Sequence, residues 1–475
     1  MNEFDLILLP GFIQWNTAEL EQQYSIKVRK GPEFASDIPM VLKNLDTIEL
    51  STEISANKLF HASGEKAYQE IVREIQDKAK KNLGKHTFHI NPQKSELLIG
   101  KDIPPPIIAE IVNCTQKDDD TILKKAKHYI ESGAQIIDIG CVSNKPNPER
   151  ITEIVKLLNQ NFNLFISIDS MDPLEIRAAV EAGADLILSL DFGNYKNLLD
   201  LPKDIPAVIL PTNIKKGFFP KNPKARVERL LELTKILNEE GFLKLIADPL
   251  LETPISPGLC KSLEAYFLYR KEVSKKEHQH LERPLFFGIS NVVELMDIDS
   301  VGINGLLASI AVELDMGVLF TVEHSTKLMS GVAELKECVK LNYLAKQRKT
   351  PPINQGIQIF KAKGKTSGEM PEISRNDAIL VPESNKSYQQ DEKGYFKIYI
   401  DHYAHQISVL FFTRDHLLQK TLIGAHAEEI SKKIIDLNLT DNLYHLNYLG
   451  RELAKAELYL NFGKPYIQDE EINRA

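Results

Sequence analysis

The chain has 475 residues, 43% of them hydrophobic and 26% charged, with a formal net charge of -8; this length exceeds what a single growing core accommodates and predicts two or three domains. The negative balance is spread along the chain, which excludes a nucleic-acid-binding surface as the main feature, and no apolar run approaches the roughly 20 residues that span a bilayer. Met1 to Phe12 lacks a basic, cleavable leader, and four scattered cysteines (Cys114, Cys141, Cys260, Cys338) without CxxC spacing fit a reducing cytoplasm, where they read as core residues.

In chain order, FDLILLPG opens as a buried-strand run closed by Pro10 and Gly11, and EKAYQEIVREIQDKAKK follows with a helical pattern, which predicts a small N-terminal α/β domain over residues 1–100. Between them, Ser51, Thr52 and Asn57 read as turn and cap residues. The run KDIPPP continues neither a helix nor a central strand and marks a boundary.

From Ile103 to Arg348, short apolar runs alternate eight times with helical segments. The runs IIAEIVN, AQIIDIG, FISIDS, ADLILSLD, AVILPTN, LKLIADPL, PLFFGIS and VLFTVEH read as strands buried on both faces. Helix signals lie between them. Three acids open the segment DDDTILKKAKHYIESG, Asp172 and Pro173 suit the N-cap and first helical position of the third helix, and Gly183 stops it. Eight βα units in about 250 residues match a TIM (β/α)8 barrel over 101–348. A doubly wound open sheet is the alternative, but polar residues follow nearly every strand, whereas an open sheet gathers its site at one switch point. Residues 349–390 read as a linker or crossing segment. After it, GYFKIYID and QISVLFFT are strands at hairpin distance, and HAEEISKKIIDLN and LGRELAKAELYLNFG are helical, so residues 391–475 form a C-terminal α+β domain.

At the C-terminal face of such a barrel, Asp138, Asp169 and Asp248 converge with Asn113, and a carboxylate facing two adjacent N–H groups grips a guanidine-like edge. An Asp after a strand also caps the following helix, which accounts for Asp172 but not for Asp169 or Asp248, both of which end apolar runs; Asp191 fits either reading. Lys145, in the proline-stiffened loop SNKPNPER, is a candidate for an anionic substrate group, and His324 for a donor near neutral pH. No HExxH, P-loop or GxSxG motif appears, so spacing does not indicate metal catalysis.

These stretches resemble the pterin-binding superfamily, which includes dihydropteroate synthase and the methyltetrahydrofolate:corrinoid methyltransferases, both TIM barrels. IVNCT is similar to the family's first-strand Asn motif, GAQIIDIGCVSNKP to its second-strand stretch, FISIDSMDPLEIRAAVEAGADLI to its third strand and helix, and LIADP to a later Asp-Pro motif. The resemblance implies a pterin substrate bound by Asp138, Asp169, Ser189, Asp191, Asn213, Asp248 and Asn291. It implies catalytic roles for Asn113, Asp169 and Lys145, a Mg2+ contact at Asn113, and an anionic group or second substrate met by Lys145 and His324. The synthases carry a lysine after the seventh-strand Gly-x-Ser and an Arg-x-His at the eighth; this chain has GISN, with Asn291, and VEH, with Val322. GISN instead resembles the methyltransferase branch. The stretch HLNYLGRELAKAELYLNFGKPYIQD is similar to part of one component of tetrahydromethanopterin S-methyltransferase, and the three-domain order resembles archaeal dihydropteroate synthase-related proteins. Without that likeness, Tyr448, Arg451, Glu452 and Glu457 read as a packing or interface face.

The expected function is that of a cytoplasmic pterin-binding transferase joining a pterin-CH2 electrophile to an arylamine in folate or tetrahydromethanopterin biosynthesis. Methyl transfer between a methyl-tetrahydropterin and a corrinoid is the alternative. A third possibility is a non-catalytic protein that only binds the pterin. The expected partners are small molecules, with a homodimer as the expected assembly and neither nucleic acid nor membrane involved.

Overall fold

In the computed structural model the described residues are 4–33, 38–43, 45–46, 48–353, 355–357, 359, 379 and 391–470. Two compact units emerge, one from residues 1–77 with 340–385 and the other from 78–339 with 386–475. Most of the stretch expected as a linker, 349–390, lies outside the described residues.

The first unit contains β1 (Leu6–Leu9), α1 (Ala18–Tyr24), β2 (Lys27–Lys30), α2 (Ile38–Lys43) and most of α3 (Ala56–Lys80). Strands β1 and β2 are parallel, and Val41, Leu50 and Ala56 form a small core with Leu6, Leu8 and Phe60. Ser51 acts as a turn residue, its Oγ accepting from the amides of Glu53 and Ile54, whereas Asn57 stands in the first turn of α3 and its Oδ1 accepts from the distant Glu33 amide.

The second unit opens with a hairpin of β3 (Thr87–His89) and β4 (Leu98–Gly100). The barrel follows as β5 (Ile107–Ile111), α4 (Asp119–Ser132), β6 (Ile136–Gly140), α5 (Pro148–Asn161), β7 (Phe165–Asp169), α6 (Pro173–Ala182), β8 (Leu186–Leu190), β9 (Ala207–Ile209), α7 (Pro223–Glu239), β10 (Leu245–Ala247), α8 (Leu259–Val273), β11 (Phe286–Gly288), the short α9 (Ser290–Val293), α10 (Ser300–Glu313), β12 (Val318–Val322) and α11 (Gly331–Arg348), whose residues from Lys340 on count with the first unit. Its eight strands are all parallel, in the order β10-β9-β8-β7-β6-β5-β12-β11. A parallel bridge between Ala247 and Leu285 closes the ring, with the Ala247 amide donating to Pro284 O at 2.9 Å. The chain is a TIM barrel, not an open sheet.

Strand residues alternate between the barrel interior and the helix layer. Ile108, Ile136, Phe165, Leu186, Val208, Ile246, Phe286, Val318 and Phe320 fill the interior, and Phe88, Ile90 and Ile99 of the hairpin join the same cluster. The hairpin lies at the N-terminal ends of the strands. Asn91 Nδ2 donates to Asp185 Oδ1 at 2.8 Å just before β8, and Lys94 Nζ donates to Asp185 Oδ2 at 2.6 Å and to Leu164 O at 3.2 Å just before β7. The barrel floor is thereby plugged. The start and stop of α6 follow the sequence, with Asp172 accepting from the amides of Leu174 and Glu175 and Gly183 left-handed at φ 103°, and the first of the three acids before α4, Asp118, caps it by accepting from the Thr121 amide.

The C-terminal domain pairs β13 (Tyr395–Asp401) with β14 (Gln406–Phe412) as the expected hairpin and adds a third antiparallel strand, β15 (Leu418–Gly424), that the sequence reading passes over. Helices α12 (Ala427–Asp436) and α13 (Leu443–Phe462) supply Ile430, Ile434, Leu449, Leu453 and Leu460 to a core with Phe396, Ile398, Ile407 and Val409. Glu452 is buried here and pairs with Lys455 at 2.8 Å, accepting also from the Tyr466 hydroxyl at 2.7 Å. That face of α13 is a packing feature. Tyr403 meets His128 of α4 edge to face, with ring centroids 5.3 Å apart, and so joins the domain to the barrel.

Cys114 and Cys338 are buried, as expected of core residues, and Cys141 is half-buried; Cys260 is exposed, since it stands in the first turn of α8, whose buried face is carried by Ser262, Ala265, Tyr266 and Tyr269.

Candidate active site

Two residues beyond the interior positions Ile108, Ile136, Phe165 and Ile246 stand Glu110, Asp138, Ser167 and Asp248, and two beyond Ser167 stands Asp169. The same alternation that packs the core therefore carries four acids to the C-terminal mouth. Glu110 and Asp138 are register partners on neighbouring strands, as are Asp138 and Ser167, and Gly140 and Asp169.

One carboxyl oxygen each from Glu110, Asp138 and Asp169 lies within 4.8 Å of the others. Asp138 has no exposed surface; the Ser167 hydroxyl donates to its Oδ1, and its Oδ2 is buried with no hydrogen-bond partner among the described residues. Burial, then the negative charges of Asp169 and Glu110, holds the Asp138 carboxyl well above the usual carboxylate range. Burial and Asp169 push Glu110 up to about 8, and burial pushes Asp169 up to about 6. Three acids this close do not all ionise.

Asp248 lies opposite on β10's C-terminal end. Its Oδ1 accepts from the Leu250 amide at 2.8 Å and lies 3.1 Å from the Tyr266 hydroxyl, which is also 2.9 Å from Phe286 O. Burial pushes the Asp248 carboxyl up to about 6, against the lowering effect of those two hydrogen bonds. The loop beyond it is braced by Arg226, which is fully buried and donates to Pro220 O at 2.8 Å and Leu250 O at 3.1 Å while pairing with Glu252.

The other expected residues occupy varied settings. Asp191 is saturated by the chain itself, its oxygens accepting from the amides of Gly193 and Ile214 and from the Thr212 hydroxyl at 2.9 Å. Ser189 is buried in β8, and its carbonyl accepts from Asn194 Nδ2 at 3.0 Å. Asn213 folds back on the Lys216 amide at 3.1 Å, and Asn291, in α9, donates to Leu251 O at 2.9 Å. Val322, at the end of β12, is buried. Asn113 is exposed in a left-handed conformation at φ 51° directly after β5, and His324 is exposed directly after β12. Lys145 is exposed in the β6–α5 loop, which is tied to α6 through the Asn147 amide donating to Glu175 Oε1 at 2.9 Å. Asn113 offers a single amide oxygen there, fewer than the octahedral set a Mg2+ ion takes.

Glu110 is absent from the residues picked out by sequence. Its signal is present nonetheless, since an acid inside the apolar run IIAEIVN has no packing reason to be there. Gly140 is its structural counterpart, because a Cβ built at Gly140 would lie 2.1 Å from Glu110 Oε1. The bare backbone of Gly140 is the space through which the Glu110 carboxyl passes toward Asp169.

Comparison with known proteins follows the same division of the chain. Residues 112–302 match the family described as Pterin binding enzyme, and residues 390–469 that described as PterinBD-DUF4346. An uncharacterized protein of Methanocaldococcus jannaschii is 35% identical over 472 residues, covering 99% of this chain and 87% of that protein. A dihydropteroate synthase of Clostridium beijerinckii is 34% identical over 95 residues, or 18% of this chain and 35% of that enzyme. Among solved structures, Yersinia pestis dihydropteroate synthase in a sulfonamide drug complex matches over 51% of this chain and 95% of its own, at 21% identity and a TM-score of 0.40. Among the described residues no helix is long and apolar enough to cross a membrane.

Proposed function

The chain belongs to the same family as the Methanocaldococcus jannaschii protein, with a barrel of the pterin-binding enzyme type, and from that premise we propose that it is a transferase acting on a pterin held at the barrel mouth. The observation that carries this reading is the pair Asp169 and Asp248. Both are inward-facing and set against the apolar interior; the Asp169 carboxyl accepts no hydrogen bond from the described residues, and Asp248 Oδ2 accepts none either. A pterin's amino-pyrimidine edge offers adjacent N–H donors, which such carboxylates bind and orient. Negative charge placed there also favours positive charge developing on the ring as a leaving group departs from its CH2 substituent.

In the synthase-type reaction the arylamine nitrogen forms a bond to that CH2 carbon, the bond to the diphosphate oxygen breaks with its electron pair, and the amine proton leaves. Lys145, exposed on its anchored loop, suits the second substrate, and Asn113 the leaving group with its Mg2+. The setting would be folate-type or tetrahydromethanopterin biosynthesis. The experiment is incubation of the full chain with a pterin diphosphate and a panel of arylamines, with mass detection of the condensed product. A product that disappears in Asp169→Asn supports the reading, whereas pterin binding without product from any amine overturns the synthase reaction and leaves either methyl transfer or pterin binding alone.

A second reading is favoured by what stands where a diphosphate would need cations. Asn291 has its amide committed to Leu251 O, and Val322 is buried and uncharged. Methyl transfer between a methyl-tetrahydropterin and a corrinoid releases no diphosphate and has no need of that basic pair. The resemblance of the C-terminal domain to the S-methyltransferase component supports the same reading. Absorbance of added cobalamin during incubation with a methyl-tetrahydropterin tests it: a change of cobalt state supports methyl transfer, and an unchanged spectrum sinks it.

A further inference from the structure

We propose that Glu110 is a further ring-recognising residue of this mouth, standing in its acid form and donating a hydrogen bond to an acceptor atom of the bound heterocycle. The proposal rests on the pterin reading above and deepens it. Asp169 and Asp248, as carboxylates, only accept hydrogen bonds, so they serve the N–H groups of a pterin and not its ring-nitrogen and carbonyl acceptors. A carboxyl that keeps its proton supplies the opposite polarity.

Three observations place that proton on the cluster containing Glu110. One oxygen from each of Glu110, Asp138 and Asp169 falls within 4.8 Å of the others, and like charges so close share protons instead of all ionising. Among the described residues no cation balances them, for the groups that face Glu110 are the Asp138 and Asp169 carboxyls from β6 and β7, the Cys114 thiol from the turn after β5 and the Tyr129 hydroxyl from α4. The thiol, pushed up to about 12 by burial, and the hydroxyl, pushed higher still, are both neutral near pH 7. Independently, Asp138 Oδ2 is fully buried with no donor among the described residues, a state that a carboxylate tolerates poorly and that a proton or a bound donor relieves.

Gly140 determines where the Glu110 carboxyl goes. Any side chain there would collide with Oε1, so the glycine lets Glu110 cross β6 toward Asp169, Gly140's register partner on β7. Donor and acceptor carboxyls then lie side by side, matching the adjacent donor and acceptor atoms on a pterin edge. This is a specificity device: a ring with only N–H groups on that edge leaves the Glu110 proton unsatisfied.

The test is calorimetric titration of the full chain with 6-hydroxymethyl-7,8-dihydropterin from about pH 6 to about pH 9.5, for wild type, Glu110→Gln, Glu110→Ala and Gly140→Ala. Because the acid form binds, wild-type affinity should fall by about tenfold per pH unit above the Glu110 titration. Glu110→Gln keeps an N–H donor that does not titrate, so its affinity should hold at high pH, and the ratio of the two profiles cancels ionisation of the ligand itself. Glu110→Ala should bind about tenfold more weakly at low pH, in line with the loss of one hydrogen bond in a buried site. Gly140→Ala retains the glutamate but displaces its carboxyl, and should weaken binding as Glu110→Ala does while keeping the wild-type thermal midpoint. Parallel pH profiles for wild type and Glu110→Gln, or wild-type affinity in Glu110→Ala, overturn the role of Glu110 and leave the pterin reading standing. Absence of binding by wild type at every pH overturns both.

Discussion

Asp169 and Asp248 owe their character to their neighbours as much as to their own chemistry. Each ends an apolar run, so the peptide that carries it is anchored in the core while its carboxyl emerges at the mouth. Replacing Asp169 by Asn exchanges one acceptor oxygen for a donor facing another donor. Loss of a charge-assisted hydrogen bond of about 1.5–3 kcal/mol predicts at least a tenfold to hundredfold loss of pterin affinity by calorimetry; unchanged affinity would refute the site. Position in the strand made these two acids legible from sequence. Asp191 also ends an apolar run but fits a structural reading equally well, and the backbone turns back on it through Gly193 and Ile214 and consumes its oxygens. Local turn geometry of that kind has no pattern in a linear sequence. Glu110 stands within its apolar run and not at its end, so the criterion of a polar residue closing a strand does not single it out.

Among the elements, the β3–β4 hairpin bears most on how the barrel is held. Asp185, nearly devoid of solvent exposure, receives Lys94 Nζ, Asn91 Nδ2 and the Ile166 amide at 2.9 Å. Asp185→Ala strips these donors of their acceptor, although Lys94 is partly exposed and keeps Asn159 Oδ1 and Leu164 O, so it should lower unfolding stability by about 1–3 kcal/mol, readable as a drop in denaturant midpoint. A change within experimental error would mean that apolar packing of Phe88, Ile90 and Ile99 alone holds the floor. No signal in the sequence marks this clasp, since its partners are about 90 residues apart. Strand β15 escaped for another reason: LQKTLIG exposes most of its residues on an edge and shows no period-two pattern. The α6 caps were legible, because Asp172, Pro173 and Gly183 act within one turn of where they stand.

The molecule as a whole combines a legible barrel with domains that periodicity describes less fully. Eight βα repeats are redundant, so a weak signal in β9 or β11, three residues each, is carried by its neighbours. The N-terminal strands and the C-terminal sheet have no such redundancy: β1 and β2 are a single parallel pair, Leu6 opposite Lys27, and β15 is joined to the sheet by one hairpin with β14.

The plugged floor has a kinetic consequence. Interior side chains and the hairpin close the strands' N-terminal end, so the mouth is the door, and on the proposed function a flat ring held by Asp169 and Asp248 would sit beneath whatever reacts with it. The deeper molecule must enter first and leave last. Initial-rate measurements should therefore show a compulsory order, with the pterin leading, and the second substrate should trap labelled pterin against dilution in a chase. Random addition would mean that the two substrates reach the site by separate routes.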